Sequence, residues 1–527
     1  MNARPDPNLR AQLPTCNLRA AVVLAGGCGQ AFAGIANLSR MGIMMQVRRF
    51  GRSRFFGLCL MVVLGVAGGL LGGLLSGCST TRPWVNAPLP GGVIPPDPYS
   101  PEAMLEASAD DLSMIAAVTL SGGGARAAAF GYGVLKALHQ TPITLNGRNT
   151  SLLDQVGVIT GVSGGSIVAT YYAAFGTETF NRFETDFLRQ NFQDSLISHA
   201  LKPGNLIDLS SPWFGRTQLL AQRLDALYRG KTFGDMWARP GHPRLLVSAT
   251  DLSLGSSFEF SWDQFSRICS DLSNVPLSFA VAASSAVPLA LSPMTVKNYA
   301  GSCQFPASKD GPAAVGRGDY RTRLLRSQMR SYQDATARPF IHLVDGGVAD
   351  NLGVRGLLDR SMSEGGIRRL MRKLPKGVVR KLVLITVNAE RDPSERIEET
   401  DKVPTTLQVV DAMLFGTGAK ATEETLGLLG DITQQWKREL STAAPDGQSA
   451  FAADAQIYLI TVNLRDAPEA SERSRLLQIP TAFSIAVDDV ARLIQAGHQV
   501  LKASPGFQDL IKALAPAPAG VPRALAP

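Results

Sequence analysis

The stretch that most limits the fold is Val156–Tyr172, VGVITGVSGGSIVATYY. A β-branched run ends at Gly161, Ser163 follows, and a helix-compatible run begins at once. A chain that turns this sharply from strand to helix must pass two backbones close together, so small residues flank the turn. The turn residue is strained, and its side chain is raised above the sheet near the positive end of the new helix. Gly161, Ser163 and Gly165 therefore read as a nucleophile elbow, G-x-S-x-G, with Ser163 as the candidate nucleophile. The alternative is a glycine-rich turn whose hydroxyl is satisfied locally.

The rest of the chain supplies a setting for such a turn. Met114–Leu120 reads as a buried strand running into Ser121-Gly122-Gly123-Gly124-Ala125-Arg126 and an Ala-rich helix through Leu138. Further strands are expected at 245–249, 256–262, 341–344, 381–387 and 456–462. Helical patterns cover 178–238, broken by a loop at Lys202–Phe214, then 279–288, a basic helix at 363–379, and 404–440 and 480–503. Residues 305–335 are polar and read as a surface excursion. Strands alternating with helices argue for an α/β fold with a mostly parallel sheet covered on both faces.

The net charge of +8 is not spread over this body. Residues 1–77 hold eight arginines and one acid, leaving the remaining 450 residues close to neutral. That balance excludes nucleic-acid binding driven by net charge, and no nucleic-acid partner is expected. The excess marks a targeting signal. Arg48, Arg49, Arg52 and Arg54 precede the uncharged apolar run Phe55–Leu75, which closes in Leu75-Ser76-Gly77-Cys78. This ending resembles the lipobox of bacterial lipoproteins. The resemblance implies cleavage before Cys78, acylation there, and a lipid-anchored location in the cell envelope on the periplasmic face of the outer membrane. A plain membrane-spanning anchor is the alternative.

Domain boundaries follow. Residues 1–77 are an N-terminal extension and signal peptide. Residues 78–110, rich in Pro and Gly, read as an extended tether. Residues 111–395 form the catalytic domain, 396–515 a helical region whose strand completes that domain, and 516–527 a disordered Ala/Pro tail. Outside the leader and Cys78, only Cys269 and Cys303 remain. In an exported chain they are able to form a disulfide, and neither has a partner at metal-ligand spacing.

Two further sites complete the chemistry. Gly122, Gly123 and Gly124 form a loop between strand and helix that aims backbone N–H groups into one small volume, as an oxyanion hole requires. Arg126, in the first helical turn, would hold this loop or add positive potential. Gly122-x-Gly124-x-x-Ala127 also fits a dinucleotide fingerprint, but the next strand ends at Thr160-Gly161-Val162-Ser163 with no acid for a ribose. The second site is Asp345, at a strand end and followed by Gly346 and Gly347. A serine hydroxyl needs a base. None of the five histidines falls where one is needed. His342 alternates to the opposite side of the strand from Asp345, and His498 lies on an amphipathic helix. Asp345 is left as a direct base, which requires it to be mostly buried so that its pKa rises.

Gly-Gly-Gly-x-Arg, Gly-x-Ser-x-Gly and Asp-Gly-Gly, in this order and each at a strand end, resemble the patatin-like phospholipase family, here in a bacterial lipoprotein form. Ala283-Ser-Ser-Ala-Val-Pro288 and Asp350-Asn351 also fit segments of that family, and the match covers roughly residues 113–360. The resemblance implies a three-layer α/β/α sandwich and hydrolysis of acyl esters of lipids by a Ser–Asp dyad, without calcium or another cofactor. It makes Ser163 the nucleophile, Asp345 the base, and Gly122, Gly123 and Gly124 the oxyanion hole with Arg126 beside it. Phospholipid or another acyl ester is the expected substrate. A carboxylesterase or thioesterase for soluble acyl compounds and a non-catalytic lipoprotein scaffold are the alternatives. Residues 191–237, with Leu196, Ile197, Leu206, Ile207, Trp213, Phe214 and Trp237, are a candidate cap or lipid-facing entrance, or else ordinary core.

Overall fold

The computed structural model describes residues 79–99, 112–145, 147–239, 241–305, 320–391, 417–442 and 448–515, with 397, 401–405, 408–409 and 412. The N-terminal extension, the signal run, Cys78, residues 100–111 of the tether and the tail lie outside the described residues. The described chain falls into two units. Residues 79–83 with 201–215 form the smaller, and 84–200 with 216–515 the larger.

The described residues of the larger unit form ten strands: β1 (Met114–Leu120), β2 (Pro142–Leu145), β3 (Arg148–Ser151), β4 (Val156–Val162), β5 (Arg244–Asp251), β6 (Ser256–Phe260), β7 (Met294–Lys297), β8 (Phe340–Val344), β9 (Val379–Asn388) and β10 (Phe451–Asn463). β2 and β3 pair as a separate hairpin, and the other strands form one sheet in the order β10-β9-β1-β4-β5-β8-β7, with β6 also on β5. β10, β9, β1, β4 and β5 run parallel. β8 runs antiparallel to β5, and β7 antiparallel to β8. The strand of the C-terminal region thus pairs with β9 in the same sheet.

The layers follow from the period-two alternation of side chains along a strand. On β9, Val383, Ile385 and Val387 enter one core, while Leu382 and Leu384 enter a second on the opposite face. β1 divides likewise, with Met114, Ala116, Val118 and Leu120 on one side and Ile115 and Ala117 on the other. The first face is covered by α1 (Gly124–His139), α2 (Gly164–Phe175) and α3 (Leu277–Ser284). The second is covered by α4 (Arg355–Glu364) and α5 (Thr417–Ser441), where Trp436 Nε1 donates to Ser361 Oγ at 2.8 Å. α6 (Val487–Ala503) joins the first face by lying against α1 at glycine contacts. A Cβ at Gly133 would lie 2.2 Å from the Ile494 carbonyl oxygen, and one at Gly497 2.4 Å from that of Phe130.

Three local expectations are corrected. Residues 84–99 are not a free tether but a strap on the larger unit. Asn86 is buried, its amide donates to Ser270 Oγ and the Lys297 carbonyl at 2.8 Å each, and Lys297 N–H donates back to its Oδ1 at 2.7 Å. Leu89 N–H donates to the Cys269 carbonyl, and Trp84 packs edge-on against Phe279. A strap that follows an irregular surface has no periodicity to read. The basic helix at 363–379 does not form, because Gly365 and Gly366 take φ of 86° and 123° and end α4 there. Only the single turn Ile367–Leu370 follows before β9. Within the loop at 202–214, Pro203–Asp208 is a short helix. Cys269 and Cys303 are disulfide-bonded, with 5.5 Å between their Cα atoms. Among the described residues no helix is long and apolar enough to cross a membrane.

Candidate active site

Ser163 stands between β4 and α2 with φ 48° and ψ −121°, a conformation that a side-chain-bearing residue adopts only where its surroundings impose it. Two close approaches impose it here. A Cβ at Gly161 would sit 2.4 Å from Ser166 Cα, and one at Gly165 2.4 Å from the Leu120 carbonyl oxygen. The strand and the helix can cross at this distance only through glycine. The Ser163 N–H is taken by Ser284 Oγ at 2.8 Å, and the Ser284 hydroxyl donates to the Ser248 carbonyl at 2.6 Å. One hydroxyl from α3 thus ties the turn to β5.

Asp345 reaches the serine through the sheet register. Val162 pairs with Ser248, so Ser163 continues opposite Ala249. Val344 pairs with Thr250 in the antiparallel sense, so Asp345 also arrives opposite Ala249. The general rule places active-site groups beyond the carboxyl ends of parallel strands. Asp345 reaches that level differently, from an antiparallel strand that enters beyond the end of β5 and stops beside it. The Ser163 hydroxyl donates to Asp345 Oδ2 at 2.8 Å, and Gly347 N–H donates to Oδ1 at 2.8 Å. Asp345 N–H donates to the Ala286 carbonyl and Thr250 Oγ1 to the Asp345 carbonyl, so the backbone is held on both sides.

Both side chains are buried. Burial pushes the Asp345 carboxyl up to about 6, and the bonds from Gly347 and Ser163 pull it partly back. A carboxylate in this range is a far better proton acceptor than one in water, yet it is ionised near neutrality. The histidines lie elsewhere. His342 contacts Thr295 Oγ1, His199 contacts Gln222, His242 contacts the Arg239 carbonyl, and His139 stacks on Phe180. None of the five lines the pocket around Ser163.

The glycine loop differs in detail from the expectation. Gly122 N–H donates to the Asn351 carbonyl at 3.1 Å and is not a free donor. Gly124 is packed behind the loop, where a Cβ would meet the Ala482 carbonyl oxygen at 2.3 Å. Gly123, at φ 137°, lines the pocket, and no acceptor among the described residues takes its N–H. Arg126 is buried beneath the loop. Its Nε donates to the Ala389 carbonyl at 2.9 Å and its Nη1 to that of Ile479 at 2.5 Å. Burial lowers its pKa to about 9, and neighbouring Arg391 pushes the same way. Arg126 therefore clamps the loop to the end of β9 and also faces the pocket.

The pocket is a small cavity of about 70 Å³ that opens to solvent. Its lining includes apolar Val287, Pro288, Val348 and Ala419 and charged Arg126, Glu390 and Arg391. Burial raises the Glu390 carboxyl to about 7. Gly418, Ala419 and Thr481 come from the C-terminal region that the motifs leave unassigned. Leu196 and Trp237, offered as cap residues, pack against the core instead, and Phe214 is buried. Glu390 and Arg391 were missed, although their place just after β9 is where the rule about strand ends points. Ser284 and Asn351 fall inside quoted segments, but nothing local in the sequence marks them as site residues. Asn351 also lines the pocket, with its Oδ1 beside Gly122 and Gly347. Cys78 lies outside the described residues.

A mostly parallel sheet with a strained serine at a strand-to-helix turn, hydrogen-bonded to a buried aspartate, defines an α/β domain organised around a Ser–Asp pair. Residues 118–358 match the model of the patatin-like phospholipase family, and this part of the chain is a patatin-like phospholipase domain. Among solved structures, the chain is similar to human GIVD cytosolic phospholipase A2 at 14% identity and a TM-score of 0.42, covering 78% of this chain and 64% of that one. It is similar to VipD from Legionella pneumophila at 11% identity and a TM-score of 0.26, covering 74% and 67%. The heterodimeric ExoU–SpcU complex from the type III secretion system of Pseudomonas aeruginosa matches at 14% identity and a TM-score of 0.18, covering 59% and 51%. The chain spans 64% of the length of the human protein. No curated protein sequence matches it.

Proposed function

We propose that the chain is a lipid acyl hydrolase, a phospholipase A-type serine hydrolase held in a bacterial envelope by a lipid on Cys78. The observation that carries this reading is the 2.8 Å bond from Ser163 Oγ to the buried, pKa-raised Asp345. Asp345 accepts the serine proton as Oγ attacks the ester carbonyl. The Gly123 N–H and the N-terminus of α2 stabilise the oxyanion. Collapse of the intermediate expels the alcohol, which takes its proton from Asp345, and leaves an acyl-enzyme. Asp345 then draws a proton from water as its oxygen attacks the acyl carbonyl; collapse of this second intermediate breaks the bond to Oγ and releases the carboxylic acid, and Ser163 takes its proton back from Asp345.

A substrate with an apolar part and an anionic head suits the pocket, whose lining includes apolar Val287, Pro288 and Val348 and cationic Arg126 and Arg391. The envelope reading is supported by the Leu-Ser-Gly-Cys78 ending and by the Cys269–Cys303 bridge, which suits an oxidising compartment such as the periplasmic face of the outer membrane. The test is hydrolysis of a short p-nitrophenyl ester and of phospholipid vesicles in parallel, with and without Ser163→Ala, in excess chelator. Turnover of both, lost with Ser163→Ala, is the expected result. Turnover of the short ester alone would replace the lipid with a soluble acyl ester. A folded protein that hydrolyses neither and takes no fluorophosphonate label would be a scaffold.

A further inference from the structure

The smaller unit exposes an unusual share of its apolar side chains. In residues 201–215, Leu201 is 66% exposed, Ile207 63%, Leu206 48% and Trp213 37%. Apolar surface left in water is unfavourable relative to burial. Four of them in so short a stretch need a cover, and the polar groups of the same unit indicate which. Residues 79–83 are bonded to this stretch. Ser79 N–H donates to Ser210 Oγ at 3.0 Å, Thr81 Oγ1 to Asp208 Oδ1 at 2.8 Å, and Ser211 Oγ to the Thr81 carbonyl at 2.7 Å. The Arg82 guanidinium lies 3.6 Å from the centre of the Trp213 ring.

Ser79 follows Cys78 directly in the chain, and adjacent Cα atoms are about 3.8 Å apart. We propose that Leu201, Leu206, Ile207 and Trp213 form a membrane-contact surface that enters the interfacial layer of the same leaflet as the acyl chains on Cys78. The inference rests on the lipid-anchor reading above. A lipid on Cys78 is one residue from the Ser79–Ser210 bond, so the anchor is tied to the patch and brings it to the bilayer. Charge agrees with this occupant. Lys202 and Arg82 carry the positive charge of the unit's described residues, and the sole acid among them, Asp208, is engaged by Thr81. Cationic side chains beside an exposed tryptophan suit the headgroup level of an anionic leaflet. Acyl chains alone hold a protein to a membrane without orienting it. A second contact beside the anchor fixes its orientation.

The test uses the mature lipidated chain, purified from membranes and placed in vesicles of phosphatidylethanolamine and phosphatidylglycerol. There Cys78 is acylated and Cys269 is bridged to Cys303, so Leu206→Cys supplies a single free thiol for an environment-sensitive fluorophore. Brominated lipid is expected to quench this label about twofold or more, and the bilayer to shield it from aqueous iodide. Adding Ile207→Asp is expected to restore iodide access with no change in the melting temperature. The mass of the N-terminal peptide separates the failures. If Cys78 is acylated and the label is open to iodide and unquenched, the membrane surface is overturned and the anchor stands. If Cys78 is unmodified, the anchor and the surface fall together. A label shielded from iodide but not quenched by brominated lipid would assign the patch to a protein and overturn the proposal.

Discussion

The parallel half of the sheet, β10-β9-β1-β4-β5, and the antiparallel flank, β8-β7 with β6, each bring one side of the Ser163–Asp345 contact to the same level, by different means. On the parallel side the position of Ser163 is set within Val156–Phe175, where a strand, a glycine-flanked turn and a helix follow one another in the chain. On the flank, Asp345 follows a strand of five residues and is held from elsewhere. Ala286 accepts its N–H, Thr250 donates to its carbonyl, and the Cys269–Cys303 bridge and the strap at Asn86–Leu89 brace the neighbouring chain. A position fixed by local sequence tolerates loosening of the flank, whereas a position fixed by distant contacts does not.

The largest effects fall where the two sides meet. Ser163→Ala and Asp345→Asn are each expected to lower ester turnover by about 10⁴-fold or more, and the double variant by little further, because the pair acts as a unit. Steady-state hydrolysis of a p-nitrophenyl ester reads this. The loss at Asp345 is separable from unfolding. Its folded pKa of about 6 lies above the ordinary carboxylate value, so the ionised form is penalised by folding. The stability cost grows as pH rises between those two values and reaches up to about 3 kcal/mol above both. Asp345→Asn should therefore melt no lower than the parent at pH 8. A lower melting point there would break the account of Asp345 as a desolvated base.

Removal of the brace is the next largest effect. Cys269→Ser with Cys303→Ser should lower stability by about 3–4 kcal/mol for a loop of this span. Hydrogen exchange would show whether the two sides differ as argued. Amides of β7 and β8 should lose protection well before those of β1, β4 and β9. Equal loss across the sheet would mean that the halves open together and that the comparison has no energetic content.

The same division explains what was legible in the sequence. The elbow, the glycine loop and the strands β1, β4, β5 and β9 could be read because their signals are local: apolar runs, small residues at a turn, a helix pattern after it. Asp345 could be identified as a candidate base by its type and its strand end, but the antiparallel direction of β8 could not, since direction is decided by the contacts of 284–286 and Thr250. The role of Gly122 was misjudged for a similar reason. Its N–H is consumed by Asn351, more than two hundred residues away in the chain. The strap at 84–99 carries a tether's composition, and what distinguishes it are contacts with distant residues, those of Asn86, Leu89 and Trp84.

Ser284 lies on the boundary between the two sides, and its expected effect is smaller. Ser284→Ala leaves the buried Ser163 N–H without its acceptor and frees the turn from β5. Turnover should fall about 10- to 100-fold with KM nearly unchanged, since the residue positions the nucleophile and does not touch the pocket. The rate of fluorophosphonate labelling of Ser163 should fall in parallel. A rise in KM with unchanged labelling would show that Ser284 serves the substrate rather than the turn.

The mildest test alters no residue. Asp345 acts as a base only when deprotonated, so kcat/KM should be flat above pH about 6 and fall roughly tenfold for each unit below it. Glu390, which lines the same pocket, has its own carboxyl raised to about 7 by burial, and its protonation would also change the site across this range. Glu390→Gln separates the two. If the fall belongs to Asp345, the inflection stays near 6 in that variant, and only the plateau moves. If the inflection disappears with Glu390→Gln, the titrating group lies beyond β9 on the parallel side. If it drops toward 4 in the parent, water reaches Asp345, and the flank does not seal the carboxylate as tightly as its contacts with Gly347, Thr250 and Ala286 require.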